Sequence, residues 1–457
     1  MRILLTAHAF PPHSVAGVEV YTLRLGSALA AMGHLVRVVA AAHDLGRPDR
    51  HVSSRRMGAV EVVEINNLHA QSGLRATYRS DWIDEALTRV VEEYRPRCVH
   101  IQHLLNLSTG IVAAARRCGA AVVLTLHDHW LSCAREGLRM QADFTVCDTV
   151  DLSTCARCLR RGAVVVAPLQ GQAMKVAARL GAGRLLRRLH DRSPRAAAAL
   201  WQRLGAVARP KADELLCDLG DRRAHVEAML ADVSFVVAPT SFMRERAREL
   251  GIGEERIRVI PVGVPVQPVD QEVGVCRFGY VGTLAPHKGV HVLVRAFQGL
   301  PDRSLRLEVH GGEHAHPGYA RGLRELASSD GRITFHGAFA EGQQARILGR
   351  FDALVVPSLW WEVGPLTLLE ARAGGLPVIA TRLGSMPELL EGARLSALVP
   401  PGDVDALRTA MESLVRAEPA EPAVLRARSV EDEARDLDRL YRSLVESGGL
   451  GGLGEGS

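Results

Sequence analysis

Two glutamates, Glu362 and Glu370, stand eight positions apart directly after a predicted buried strand, Ala353–Val356. Pro365 between them suits the first position of a helix, because a backbone N–H there has no helical partner to lose. At a rise of about 1.5 Å per residue, the two carboxylates are expected roughly 10 Å apart. That exceeds the separations of about 5 to 9.5 Å at which two carboxylates act together on a glycosidic bond. The spacing therefore favours two separate contacts on one long ligand.

The start of that helix carries a second kind of chemistry. The backbone amides of Gly364 and Leu366 are expected to face the space above the carboxyl end of the preceding strand. In an open α/β sheet this is where a ligand binds, and a helix N-terminus favours an anion. We therefore expect Gly364, Pro365 and Leu366 to contribute to a phosphate site.

In this setting the stretch Glu362–Glu370 resembles the E-x7-E motif of retaining GT-B glycosyltransferases, specifically glycosyltransferase family 4. The resemblance implies that Glu362 faces the donor sugar and that Glu370 holds the ribose hydroxyls of a nucleotide. An isolated E-x7-E pattern is more often a pair of solvated glutamates at a helix end, so the remaining motifs matter.

A second segment, Gly279–Val290, is similar to the family's G-x-L-x-x-x-K-G strand and loop. The resemblance implies that Lys288 pairs with the donor diphosphate, and that Gly282 and Thr283 lie beside it. Thr283 stands where the family often has arginine, which would leave one charge fewer at the diphosphate. Gly337, in Phe335–Phe339, matches a turn that contacts the nucleotide base.

Two further matches lie in the N-terminal half. Phe10–Tyr21 looks like the family's glycine loop, in which Ala16 replaces one of two glycines and Gly17 keeps access to positive φ near the donor phosphate. Leu124–Trp130 is similar to the family's H-D element, which implies that His127 points towards the donor sugar. A lone histidine at a strand end is otherwise more often structural.

The resemblance also implies the reaction. A hexosyl group would move with retention of configuration, without an enzyme nucleophile and without a catalytic metal, as the leaving diphosphate takes the acceptor's proton. Lys288 and the helix amides would stabilise the departing charge. Asp403-Val404-Asp405 spells a D-x-D pattern, but it follows Pro401-Gly402 and is interpreted as a helix start.

Four cysteines form a C-x13-C-x7-C-x2-C pattern of the kind that can hold tetrahedral zinc: Cys133, Cys147, Cys155 and Cys158. A structural zinc is one interpretation, reduced thiols without a ligand are another, and an iron–sulfur cluster is a third.

The charge of the chain is concentrated in one region. Of a net charge of +5, residues 157–223 contribute fifteen Lys or Arg against five Asp or Glu. This segment is either a surface that rests on anionic lipid, beside a lipid-linked acceptor, or a solvated helical arm. Nucleic acid is not expected as a partner, because interleaved aromatics and a recognised binding motif are lacking.

The elements that must position these residues form an α/β pattern. The 457 residues alternate short apolar runs with helical patterns, interrupted after Asp128. This pattern predicts two parallel α/β units, and the resemblance to glycosyltransferase family 4 implies a GT-B architecture in which two Rossmann-like domains face across a cleft. The predicted parts are an acceptor domain (1–245, with a Cys-rich, basic, helical insertion at about 130–230), a donor domain (246–428), a crossover helix (429–446) and a Gly-rich disordered tail (447–457).

Composition limits location and function. No apolar run reaches the eighteen or so residues of a membrane span, and the N-terminus lacks the pattern of a signal peptide. A cytoplasmic enzyme is expected, either free or peripheral on the inner face of the membrane. The expected partners are a UDP-, GDP- or ADP-sugar and a glycan or lipid-linked acceptor. Two alternatives are a GT-B nucleotide-sugar epimerase and a sugar-nucleotide-binding protein without catalysis.

Overall fold

A computed structural model describes residues 1–12, 16–44, 46–68, 73–141, 143–162, 211–265, 277–313, 316–340, 342–393, 395–417 and 428–447. The middle of the predicted insertion (163–210) and the tail beyond Ser447 therefore lie outside the described residues. Within the described part, no helix is long and apolar enough to cross a membrane.

The first sheet has eight strands, in the order β3-β4-β2-β1-β5-β6-β7-β8. They are β1 (Arg2–Ala7), β2 (Leu35–Ala42), β3 (Val52–Met57), β4 (Val60–Asn66), β5 (Cys98–Ile101), β6 (Ala121–Thr125), β7 (Phe235–Ala238) and β8 (Ile257–Val259). All neighbours pair in parallel except β3, which forms an antiparallel edge hairpin with β4. The alternating polar residues of β3 leave one face in solvent, as an edge position allows.

Helices cover both faces of this sheet. They are α1 (Gly17–Ala31), α2 (Asp81–Tyr94), α3 (Gly110–Arg117), α4 (Leu152–Gly162), α5 (Ala212–Ala231) and α6 (Ser241–Glu249). Because β8 pairs with β7, the sheet extends to Val259, past the predicted domain boundary at 245.

The second sheet has six parallel strands, in the order β11-β10-β9-β12-β13-β14. They are β9 (Arg277–Val281), β10 (Arg306–His310), β11 (Ile333–Gly337), β12 (Ala353–Val356), β13 (Val378–Thr381) and β14 (Ala397–Val399). Its helices are α7 (Val290–Gln298), α8 (Pro317–Ala327), α9 (Gln344–Leu348), α10 (Leu366–Ala373), α11 (Met386–Leu389) and α12 (Val404–Arg416). Asp403 accepts from the amides of Asp405 and Ala406, so the D-x-D pattern is a helix cap.

The last helix, α13 (Val430–Glu446), returns to the first sheet. Its apolar side, including Ala434, Leu437 and Tyr441, is buried in the core that β1 and β2 share with α1. Ser429 caps the helix and shares a capping box with Asp432. Together the two sheets, parallel throughout except for β3, give the predicted α/β architecture of two Rossmann-like domains.

Candidate functional site

Glu362 is the centre of a hydrogen-bonded cluster between strand ends of the second sheet. Its Oε1 accepts from Lys288 Nζ at 2.7 Å, from Ser358 Oγ at 2.6 Å and from Trp360 Nε1 at 2.8 Å. Only 4% of Glu362 is exposed. Burial alone would raise its pKa, but the charge of Lys288 and these hydrogen bonds hold the pKa below its usual value. The carboxylate is therefore ionised and paired with Lys288.

Two glycines allow the loops around Glu362 to approach one another. Gly289 has φ +70°, and a Cβ there would lie 1.9 Å from the carbonyl oxygen of Pro357. Gly384 has φ +59°, and a Cβ there would lie 2.4 Å from the carbonyl oxygen of Glu362. That oxygen also accepts from the amide of Ser385 at 2.9 Å. Glycine is thus required at both positions by conformation and by space.

Glu370, in α10, is paired with a cation from the other domain. Arg24 Nη1, in α1, lies 2.6 Å from Glu370 Oε1, and both side chains are largely buried. Burial raises the pKa of Glu370, and the charge of Arg24 opposes that rise. Because Glu362 pairs with Lys288 and Glu370 with Arg24, the two carboxylates make separate contacts. Nothing in the spacing of the sequence indicated Arg24.

The helix start between the two glutamates differs slightly from the prediction. Pro365 is the N-cap, with φ −64° and ψ 111°, and α10 begins at Leu366 rather than at Pro365. Pro365 has the extended ψ that is typical of an N-cap residue. Its carbonyl oxygen accepts the first hydrogen bond of the helix, from the amide of Leu368 at 3.0 Å. Gly364 lies just outside the helix and is partly exposed.

His127 lies at the carboxyl end of β6 in the first sheet. Its Nε2 is 2.8 Å from Gln102 Oε1, and its ring makes an edge contact with Tyr21 at 4.6 Å between centroids. Burial lowers the pKa of His127 to about 3. The imidazole is therefore neutral near pH 7 and can act as a hydrogen-bond donor or acceptor.

Three more polar side chains stand at neighbouring strand ends. The rings of His8 and His103 are 4.7 Å apart, and His103 Nε2 lies 2.8 Å from Asp128 Oδ2. Although burial acts against it, the bonds to His103 and to the amide of Trp130 hold the pKa of Asp128 at about 2. These residues follow β1, β5 and β6, which are adjacent in the sheet. Their positions just after predicted strands were a signal that could have identified them.

The glycines predicted to line the donor site differ in conformation. Gly17 begins α1 and is not among the positive-φ glycines, so it does not use the positive φ to which it has access; residues 13–15 of the same loop lie outside the described residues. Gly337 does have positive φ (+77°), and its carbonyl accepts from the amide of Gly311 at 2.8 Å. A Cβ on Gly311 would lie 1.9 Å from the carbonyl oxygen of Gly282. Thr283 is exposed beside this turn.

Trp361, next to Glu362 in the loop that follows β12, packs against the first domain. Its ring makes edge contacts with His129 and Phe242, with centroids 5.6 and 5.4 Å apart. The guanidinium carbons of Arg139 and Arg246 lie 5.0 and 5.2 Å from its centroid. An aromatic ring among these groups holds the two domains together beside Glu362.

The four cysteines of the predicted metal site approach one another but do not close around an ion. Burial, and after it the charges on the other three thiols, raise the pKa of Cys155 to about 12. Cys155 and Cys158 are one turn apart in α4, while Cys133 and Cys147 come from loops. Among the described residues, the group whose ligand atoms all lie within 4.8 Å of one another is a different one, formed by Glu308, His310 and His336.

Two family models match this chain. One, described as Glycosyltransferase Family 4, covers residues 15–185. The other, described as Glycosyl transferases group 1, covers residues 276–417. Together they span more than half of the chain and include His127, Lys288, Glu362 and Glu370.

Curated relatives share about a third of the aligned residues. The chain is 32% identical over 187 residues to a D-inositol 3-phosphate glycosyltransferase of Corynebacterium glutamicum, covering 38% of this chain and 44% of the relative. It is 31% identical over 200 residues to a phosphatidyl-myo-inositol mannosyltransferase of Mycobacterium leprae, covering 41% and 50%. The chain thus spans about half the length of the curated relatives it matches.

Solved structures agree in fold over nearly the whole chain. Sucrose-phosphate synthase from Thermosynechococcus elongatus superposes with a TM-score of 0.62 at 19% identity, covering 98% of this chain and 99% of that one. Anabaena HepE in complex with UDP and glucose gives 0.58 at 14% identity, covering 97% and 99%. At these identities the likeness shows the GT-B fold alone.

Proposed function

Because the chain belongs to glycosyltransferase family 4, we propose that it transfers a sugar from a nucleotide-sugar donor to an acceptor. The observation that carries the proposal is the pair of the buried Glu362 with the partly buried Lys288, with 2.7 Å between Nζ and Oε1, at the strand ends of a Rossmann-like sheet. Structural neighbours that were solved with UDP, UDP-glucose or ADP support a nucleotide-linked donor.

In this proposal, the bound donor replaces one partner in each of the two ion pairs. A diphosphate would attract Lys288 away from Glu362, and its oxygens would accept the hydrogen bond that Nζ now donates to the carboxylate. Ribose hydroxyls would likewise replace Arg24 at Glu370. Each ion pair therefore marks a proposed contact with the donor, because the diphosphate would replace Glu362 as the partner of Lys288 and the ribose would replace Arg24 as the partner of Glu370.

Retention and metal independence are part of the proposal. Glu362 is held by three donors and is poorly placed to attack carbon, which favours a step in which the leaving diphosphate accepts the proton of the acceptor hydroxyl. Lys288 would stabilise the diphosphate as its negative charge develops. His127, which is neutral near pH 7, would hydrogen-bond a sugar hydroxyl without competing for a proton.

A second part of the proposal concerns the class of acceptor and the location of the enzyme. The named relatives act on inositol phosphate or phosphatidyl-inositol, which favours a polyol or lipid-linked acceptor in glycolipid, polysaccharide or glycoconjugate synthesis. We propose a cytoplasmic enzyme whose basic segment contacts the inner face of the membrane. Most of that segment lies outside the described residues.

The test is a screen of UDP-, GDP- and ADP-sugars for thermal stabilisation and slow donor hydrolysis. We expect one nucleotide class to raise the melting temperature of the native protein and Glu370→Ala to abolish the shift. Glu391→Ala, an exposed glutamate in the same domain, is the matched control. Failure of every nucleotide sugar to stabilise the native protein would refute the proposal. Turnover of the donor sugar without an acceptor would instead indicate an epimerase, and binding without turnover a non-catalytic protein.

We also propose that Cys133, Cys147, Cys155 and Cys158 hold a structural zinc. Cysteine thiolates are common ligands of structural zinc. Each of the four cysteines is close enough to another to affect its pKa. Among the described residues no three of these sulfur atoms lie within 4.8 Å of one another, so the proposed ion would require the four side chains to come closer together. The ion would tie the loop after His129 to the helix that precedes residue 163.

A further inference from the structure

Two histidines and a glutamate come together on β10 and β11, at the edge of the second sheet. They are Glu308, His310 and His336, and one ligand-type atom of each lies within 4.8 Å of the other two. The group contains none of the residues proposed above to contact the donor. Its presence in the fold therefore needs a separate explanation.

The distances within this group match those of a metal site. Glu308 Oε2 lies 3.3 Å from Nε2 of His336 and 3.5 Å from Nε2 of His310. A tetrahedral zinc ion, with bonds of about 2.0 to 2.2 Å to nitrogen and oxygen, holds its ligand atoms about 3.3 to 3.5 Å apart. The carboxylate oxygen and the two imidazole nitrogens are thus already at the separations that such an ion requires.

The two imidazole rings are also suitably oriented. They stack with 4.2 Å between centroids and 10° between planes, and each ring has its Nε2 towards the same carboxylate oxygen. The stack lies where the register of the strands shifts: Val309 pairs with Phe335, whereas His310 pairs with Gly337, so His336 is an extra residue on β11. Irregularities of this kind redirect side chains and are common beside functional sites.

The chemical state of the histidines favours a cation. Burial, and after it the neighbouring His336, lower the pKa of His310, so this imidazole is neutral near pH 7. A histidine must be neutral to bind a metal. The side chain of His336 is 29% exposed, which gives an ion access from solvent and leaves room for a water ligand. Two imidazoles with one carboxylate suit zinc and neighbouring transition metals better than calcium or magnesium.

Arg350 is the competing partner of Glu308. Its Nη2 lies 3.2 Å from Oε1 of the carboxylate, and its side chain is 49% exposed. An ion pair with so exposed an arginine is weak, so a divalent ion that also binds two imidazoles can displace it. The positive charge of Arg350 should nevertheless reduce the affinity for the ion, which gives the experiment a second, opposite readout.

We propose that Glu308, His310 and His336 bind a divalent transition-metal ion such as zinc. The proposed role is structural. His310 and His336 immediately precede Gly311 and Gly337, whose backbones share a hydrogen bond of 2.8 Å, so the ion would fasten the edge strand β11 to β10 beside that turn. The proposal goes beyond the proposed function and does not depend on sugar transfer.

The experiment titrates Co²⁺ into the full chain and follows its visible absorption, because cobalt replaces zinc in such sites and, unlike zinc, absorbs light. An ion held by three side chains, one of them exposed, is expected to be lost during purification, so the site is available to the probe. Cobalt bound to the cysteine cluster would show a strong near-ultraviolet band from thiolate, which imidazole and carboxylate ligands do not produce. The two proposed metal sites are thereby distinguished.

Two pairs of variants test the assignment. His336→Ala removes the exposed ligand, and its control is His316→Ala, which removes another exposed histidine from the same domain. Arg350→Gln removes the competing charge, and its control is Arg346→Gln, which removes an exposed charge from α9, one helical turn earlier in the chain.

We expect one Co²⁺ to bind per chain without the thiolate band. His336→Ala should raise the Kd at least about tenfold, because the loss of a ligand costs no less than the loss of a residue that orients one. His316→Ala should leave the Kd unchanged. Arg350→Gln should lower the Kd, and by more than Arg346→Gln does. The ion should also raise the melting temperature of the native protein but not that of His336→Ala, since it binds the folded state.

Two results would overturn the proposal. One is the absence of saturable Co²⁺ binding outside the thiolate band, and the other is equal binding by His336→Ala and His316→Ala. The nucleotide-sugar screen on the same preparations tests the proposed function separately. If a nucleotide sugar stabilises the protein while Co²⁺ does not bind to these residues, only the metal assignment is wrong.

Discussion

At the scale of single residues, each buried carboxylate of the candidate site is paired with a cation. Glu362 and Glu370 are both largely buried, and each is matched by one cation, Lys288 or Arg24. A buried carboxylate without a partner would be costly, so the cations stabilise the free protein as well as preparing the site. The nucleotide-sugar donor that we propose would compete with these internal ion pairs, by presenting a diphosphate to Lys288 and a ribose to Glu370.

The role of Lys288 can be tested by removing its charge. We expect Lys288→Met to lower kcat by roughly 10²- to 10³-fold, because the departing diphosphate loses a preorganised cation. Lys288→Arg should retain part of the activity, since it keeps the charge but not the geometry. Sugar transfer is measured with the donor found in the nucleotide screen.

The matched control for Lys288→Met is Arg295→Met, which removes an exposed cation from α7. Its kcat should equal that of the native protein. A Lys288→Met enzyme with native kcat would show that Lys288 serves only to neutralise Glu362.

At the scale of elements, α13 is the most informative, because it leaves the second domain and completes the core of the first. Leu437 and Tyr441 are fully buried there, and the Tyr441 hydroxyl lies 2.5 Å from His100 Nδ1 in β5. The helix is thus a structural part of the first domain, although almost the whole second domain precedes it in the chain.

Truncation of the buried face of α13 should destabilise the protein. We expect Leu437→Ala to lower the free energy of unfolding of the first domain by about 2–5 kcal/mol through lost burial and a residual cavity. Arg439→Ala, on the exposed face of the same helix, should change it by less than about 0.5 kcal/mol. Urea denaturation followed by circular dichroism measures both, and equal effects would argue against burial of α13.

The loop and helix that carry the cysteines make a second prediction at this scale. If the proposed zinc is bound, the purified protein contains about one zinc per chain by elemental analysis. Cys155→Ser should lose it, whereas Cys118→Ser, which alters an exposed cysteine of the same domain, should retain it. A native protein with far less than one zinc per chain contradicts the proposal, and stoichiometric iron would support the iron–sulfur alternative.

At the scale of the whole molecule, polar contacts join the two domains around the site. Thr240 Oγ1 lies 2.7 Å from Ser385 Oγ, and both residues are buried. Glu388 of the second domain accepts from the amides of Ser241 and Phe242, at the N-terminus of α6. A carboxylate is favoured at that helix end, so the contact adds charge complementarity to the interface.

Glu433 lies where α13 meets α1 and the segment leading to the second domain. It accepts from the Tyr21 hydroxyl at 2.7 Å and from the amide of Gly263 at 2.7 Å, and it is 1% exposed. Burial raises the pKa of Glu433 to about 7, despite the opposing effect of these hydrogen bonds. The ring of Tyr21 also contacts His127, so Tyr21 connects Glu433 with His127.

This raised pKa predicts a pH-dependent stability. Between about pH 4.5 and 7 the folded protein keeps a proton on Glu433 that the unfolded chain has released, so the contribution to stability is lost as pH rises through 7. The loss should approach about 1.4 kcal/mol per pH unit in that window. We expect Glu433→Gln to remove this dependence, as measured by urea denaturation at a series of pH values.

The control is Glu431→Gln, an exposed glutamate in the same helical turn. Its stability should change with pH in parallel with that of the native protein. A native protein and a Glu433→Gln variant with parallel pH profiles would show that Glu433 does not titrate in this range.

The sequence by itself determined the fold class and the positions of the candidate site residues relative to the strands. Alternating apolar runs and helical patterns specify parallel α/β units, because period and length are local properties of the chain. Glu362, Glu370 and Lys288 could be predicted as a proposed donor site because motif spacing fixes where a side chain falls relative to a strand end. The antiparallel β3 was missed, since its polar alternation resembles a loop.

Only the tertiary structure decided which groups meet. Arg24 reaches Glu370 across 346 positions, and Glu433 reaches Tyr21 across 412. Contacts of this kind depend on how two sheets and a returning helix are arranged in space, and that arrangement is set by burial over the whole chain rather than by any local pattern.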